Sequence, residues 1–152
     1  MKTSGAHVQR LAANFLRTYP GALCLGYRFR QTTAEMFGKN AHLVDPLIKG
    51  GYRSLPLRVG ARELQGRVDL LWSNADSALD IVKTLRHEVL GHFGLNTFNS
   101  SEREALLDAI TRSNDPDIAQ LWTTTANAYP SSTPRLIAEE VFCLAAESID
   151  PS

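Results

Sequence analysis

Residues 67–95 read RVDLLWSNADSALDIVKTLRHEVLGHFGL, and this stretch decides the fold. Its opening, Arg67–Trp72, is rich enough in branched and aromatic side chains to form a strand. Ser73-Asn74-Ala75-Asp76-Ser77 then supplies N-cap side chains. Leu79, Val82, Leu85, Val89 and Leu90 follow at helical spacing, which predicts a long helix over residues 76–93. Gly91 and Gly94 lie near its end.

Upstream, Val8, Leu11, Ala12, Phe15 and Leu16 mark a helix over 6–19 that Pro20-Gly21 ends. Leu23–Arg30 begins apolar and then alternates, the pattern of a strand. Ala34–Phe37 reads as one helical turn closed by Gly38. Asp45-Pro46 and Gly50-Gly51 interrupt regular structure across 39–53. Leu55–Val59 reads as a short strand, held at an edge by Pro56. Gly60 and Gly66 bracket the loop after it, so it pairs with Arg67–Trp72 as a hairpin. The expected sheet therefore combines segments near 22–30, 55–59 and 67–72. Downstream the chain is helical. Ser101-Glu102-Arg103-Glu104 fits a capping box, and Asp115-Pro116 and Thr133-Pro134 each pair an N-cap with a first-position proline. The fold class is α+β: an N-terminal helix, a small sheet, the motif helix and a helical C-terminal half.

The 152 residues and 16.8 kDa suit one domain over residues 1–152. Sixteen basic residues balance sixteen acidic ones, so no nucleic-acid or anionic-membrane partner is expected. Hydrophobic residues at 43% and charged residues at 21% exclude a disordered chain. No apolar run approaches the ~20 residues of a membrane span, and Met1–His7 lacks a secretory apolar stretch. Cys24 and Cys143 both lie in apolar surroundings and read as buried free thiols. A cytoplasmic protein is the expectation.

The chemistry concentrates in His87-Glu88-Val89-Leu90-Gly91-His92. Two of the four histidines of the chain flank a glutamate here. Their i,i+5 spacing sets them about 140° apart on a regular helix, too far round to share one ion. One residue wound as a π-bulge returns both to one face, and Gly91 is the residue best able to absorb it. On a regular helix the pair at i,i+4 is instead Glu88 and His92, with His87 directed elsewhere. Both arrangements are open at this point. A second acidic pair, Glu139-Glu140, sits on the last predicted helix.

The first motif resembles the extended His-Glu-x-x-Gly-His motif of dipeptidyl peptidase III, a zincin metallopeptidase family. Glu139-Glu140-Val141-Phe142-Cys143-Leu144 stands where that family carries its second motif. The resemblance implies that His87, His92 and Glu140 bind Zn2+, that Glu88 is the catalytic base, and that Glu139 stands behind the ligands. It departs at Leu144, where the family has an acidic residue. Glu147 and Asp108 are candidates to orient the histidines instead. More loosely, Leu70–Leu95 looks like small zincin-like domains of phage and plasmid proteins.

The implied activity is gluzincin-like hydrolysis of a peptide bond. A zinc-bound water, its pKa lowered towards ~7, attacks a peptide carbonyl after giving its proton to Glu88. The implied partner is a peptide or protein substrate, laid along an edge strand at 55–59 or 67–72. Two alternatives are a zinc hydrolase of a non-peptide amide or ester and a non-catalytic metal-binding module. Tyr129 and His42 are weaker candidates for an oxyanion contact, and Arg28 and Arg30 for a substrate carboxylate.

Overall fold

A computed structural model describes residues 4–54, 57–59 and 62–149, with 57–59, 62 and 63 defined through the backbone. It is an α+β arrangement. Helix α1 (Gly5–Thr18) is capped by the Ser4 hydroxyl and buries Val8, Ala12 and Phe15. A 3₁₀ turn over Pro20–Cys24 delays strand β1, which runs Leu25–Arg30 rather than from Leu23. Helix α2 (Thr33–Phe37) ends at Gly38, whose φ of 55° lies in the left-handed region that favours glycine.

The main sheet has three strands in the order β1-β5-β2. Strand β5 (Gly66–Leu71) is central, parallel to β1 and antiparallel to β2 (Gly50–Arg53). This corrects the expected hairpin. Strand β3 (Leu57–Val59) pairs instead with β4 (Arg62–Leu64) in a separate two-stranded sheet, and β2 takes its place against β5. The bracketing glycines held a strand between them rather than a bare loop. Residues 55, 56, 60 and 61, including Pro56 and Gly60, lie outside the described residues.

Strand β2 tolerates its position because of Gly50. A Cβ there would lie 2.8 Å from the Thr84 methyl and 3.7 Å from Glu88 Cγ, so the bare backbone lets the sheet press against the motif helix. That helix is a continuous rod. Ser77 caps α3 (Ala78–Leu85), residues Arg86–Phe93 widen into a π-helix, and α4 (Gly94–Thr97) completes it.

Helices α5 (Ser100–Thr111), α6 (Pro116–Ala128) and α7 (Pro134–Ala146) follow. Asp115 and Thr133 cap as expected. The capping box of α5 falls two residues early, on Asn99 and Glu102, because Asn99 is an equally good cap and keeps Ser100 and Ser101 in the helix.

Two apolar cores meet along the rod. Val8, Phe15, Leu25, Val68, Leu70, Ile81, Leu85 and Val89 fill the space between sheet, α1 and α3. Leu95, Leu107, Ile110, Ile137, Ala138 and Val141 fill the helical half. The π-helix spans the seam, with Val89 in one core and Leu95 just beyond it in the other.

Candidate metal centre

Winding decides which side chains of the motif meet. Hydrogen bonding of i→i+5 type brings residues five apart onto successive turns of one face. His87 and His92 therefore stand together, ring centroids 5.2 Å apart, and the arrangement pairing Glu88 with His92 does not form. The bulge is not absorbed by an unusual backbone at Gly91. That glycine serves proximity: a Cβ would fall 2.7 Å from Cys143 Sγ and 2.8 Å from Cys143 Cα. Its absence lets α7 cross the π-helix at close range and delivers the acidic pair.

Glu140 lies between the two rings. One carboxylate oxygen is 3.3 Å from His87 Nε2 and the other 3.2 Å from His92 Nε2. The outer nitrogens meet further carboxylates: His87 Nδ1 is 2.9 Å from Glu147 Oε2, and His92 Nδ1 is 3.5 Å from Glu139 Oε1. Of the two carboxylates considered for orienting the histidines, Glu147 touches His87, whereas Asp108 is exposed and pairs with Arg112. Both rings are held with Nε2 turned inward, as carboxylate-backed metal-ligating histidines are.

The charges are strongly coupled. Burial acts against protonation of His87, but the carboxylates of Glu140 and Glu147 outweigh it and push its pKa up to about 9. Burial likewise opposes charge on His92, and contacts with Cys143, Glu139 and Glu140 overcome it to give about 12. Burial disfavours the Glu140 anion too, yet the two imidazoles bring that carboxyl down to about 2. Without metal, the surrounding carboxylates favour the charged form of both imidazoles. Glu88 behaves oppositely: it is 6% exposed, burial pushes its pKa up, and its Oε2 has no hydrogen-bond partner.

Two clefts open onto the centre. One of about 270 Å³ is lined by His92, Glu139, Glu140 and Tyr129, and one of about 560 Å³ by His87, Glu88, Glu147, Lys49 and Tyr129. Tyr129 borders both. His42 is exposed on the turn Gly38–Leu43 and lines neither. Arg28 is held by both oxygens of Asp69 on the sheet.

The donors fit a metal ion. Glu140 meets the two imidazoles through different oxygens, at 3.3 and 3.2 Å, so it could supply an oxygen donor beside either ring. His87, His92 and Cys143 also bring one ligand atom each within 4.8 Å of one another. From the sequence Cys143 reads as a buried core thiol, and it is buried. Its position one helical turn beyond Glu140 was the available signal. Burial pushes this thiol up to about 11.

Comparison with known proteins changes the functional frame. The whole chain is 42% identical to part of the DNA primase TraC of Escherichia coli. The chain spans only 11% of that protein's length. No protein-family profile and no solved structure matches the chain.

This likeness overturns the reading as a zincin metallopeptidase related to dipeptidyl peptidase III. That reading rested on two short motifs, and a ligand set says little about substrate when separated from its surroundings. Peptide hydrolysis, a peptide substrate, hydrolase activity generally and the exclusion of nucleic acid are corrected on the same finding. The non-peptide hydrolase and the isolated metal-binding module have no better support. Among the described residues, no helix is long and apolar enough to cross a membrane.

Proposed function

We propose that this chain is a zinc-holding segment of a DNA primase-type protein and that it takes part in handling DNA. The likeness along the entire chain to part of DNA primase TraC carries this reading. His87, His92 and Glu140 are the proposed ligands, and residues 1–152 are taken as one unit around them. Zinc suits two imidazoles and a carboxylate better than magnesium does, because magnesium selects oxygen donors. Bound there, the ion would tie the π-helix to α7. Glu88, facing the larger cleft, is the proposed proton-exchanging carboxyl beside it. A cytoplasmic setting would keep both thiols reduced.

One surface supports contact with DNA despite the balanced overall charge. Strand register sets Arg28 and Arg30 of β1, Arg67 of β5 and Arg53 of β2 on one sheet face around Asp69. Arg30 and Arg53 are exposed, and guanidinium groups pair well with phosphate.

The test combines metal analysis and DNA binding on the chain purified without added metal. About one zinc per chain is expected, falling severalfold in both His87→Ala and Glu140→Ala. A labelled single-stranded oligonucleotide should gain anisotropy with the wild-type chain at low salt. Absence of zinc overturns the metal assignment. Failure to bind either single- or double-stranded DNA overturns the DNA assignment.

A further inference from the structure

We infer that Cys143 is a fourth protein ligand of the metal centre, which makes the site a closed His₂-Glu-Cys set. The inference rests on the zinc reading above and deepens it. Two elements each offer two donors at one-turn spacing: His87 and His92 on the π-helix, Glu140 and Cys143 on α7. The sulfur lies within 4.8 Å of ligand nitrogens of both histidines. Tetrahedral separations for mixed N and S ligands are about 3.3–3.8 Å, so donor shifts on the order of 1 Å bring His87, His92 and Cys143 to ligand spacing beside Glu140. Cys143 is fully buried and lines neither cleft, so its sulfur meets the centre from within the protein. Gly91 is what permits this approach, since any side chain there would occupy the space of the sulfur.

Charge supports the same set. Two neutral imidazoles, one carboxylate and one thiolate together neutralise a divalent ion. Ligation forms one sulfur–metal bond and releases the thiol proton to solvent. Four protein donors leave no coordinated water, the arrangement of structural rather than hydrolytic zinc sites.

The experiment uses cobalt(II) added to the metal-free chain carrying Cys24→Ser, which leaves Cys143 as the single thiol. Tetrahedral ligation gives intense visible d–d bands, and a thiolate ligand adds a near-ultraviolet charge-transfer band. Both are expected. Cys143→Ala on that background should abolish the charge-transfer band and weaken cobalt binding at least tenfold. Zinc should also slow alkylation of Cys143 at least tenfold in the otherwise unaltered protein, a measurement that needs no core substitution. Cobalt bound with d–d bands but without charge transfer, or alkylation unaffected by bound zinc, overturns the Cys143 assignment and leaves the metal reading standing. Failure to bind cobalt or zinc at all overturns both.

Discussion

At the scale of single residues, Gly91 and Gly94 make a controlled pair three positions apart on one rod. A methyl at Gly91 meets the Cα, Cβ and Sγ of Cys143 at 2.7–2.8 Å, and a helix backbone cannot yield like a side-chain tip. Gly91→Ala should therefore cost about 1–3 kcal/mol of stability, the range of overpacked cores. It should also lower zinc affinity, because α7 carries Glu140. A methyl at Gly94 meets only Val89 O, at 3.7 Å. Gly94→Ala should be neutral or gain up to ~1 kcal/mol from helix propensity. Urea denaturation of the two variants, with zinc titration of each, checks both. Equal effects at the two positions would remove the role given to Gly91.

At the scale of elements, the join between π-helix and α7 is electrostatic as well as steric. In the metal-free protein the His87 pKa is raised above its ordinary value of 6.5, to about 9. A group with a raised folded pKa contributes stability that is fully present below the unfolded value and is lost as pH rises through the folded one. Metal-free protein should thus lose on the order of 1–3 kcal/mol between pH 6.5 and about 9. Zinc affinity should run the other way over that window, since binding displaces protons from the histidines. Urea midpoints of metal-free protein at pH 6.5 and 9.5, beside zinc titrations in buffers of different ionisation enthalpy, test this. His87→Ala should reduce the stability trend without abolishing it, because His92, raised to about 12, loses stability over the same window.

The same elements show what one-dimensional pattern carries and where it stops. The motif helix, its Ser77 cap and the proline-led starts of α6 and α7 are local events, governed by side chains within a few residues. The π-winding was legible because the i,i+5 histidines make sense only on a wider turn. Strand partnership was not legible. Which of β2 or β3 lies beside β5 depends on Gly50 fitting against Thr84 and Glu88, a contact between segments more than thirty residues apart. Likewise Glu147 could be suspected of backing His87, but only α7 docking on the seam brings the two within 2.9 Å. Cys143 looked like core because it is core. Its second role depends on which polar atoms meet it there.

At the scale of the whole molecule, a balanced net charge hid an uneven distribution. Arg28 and Arg67 both lean on Asp69, so much of their charge is answered within the sheet. Arg30 and Arg53 sit exposed on the two outer strands of the same face. Spread across three strands, they can reach separate phosphates of one nucleic-acid strand. Phosphate contacts are revealed by salt: each one contributes roughly 0.7 to the slope of log affinity against log salt for a single strand. Arg30→Glu combined with Arg53→Glu should therefore weaken single-stranded DNA binding at least tenfold at low salt and reduce that slope by about 1–2. Both positions are exposed, so zinc content and thermal stability should be unchanged. Anisotropy titrations at several salt concentrations, with zinc measured on the same preparations, decide the matter. If affinity and slope match the wild type while zinc is retained, DNA does not lie on this sheet face, and the clefts beside the metal centre become the next surface to test.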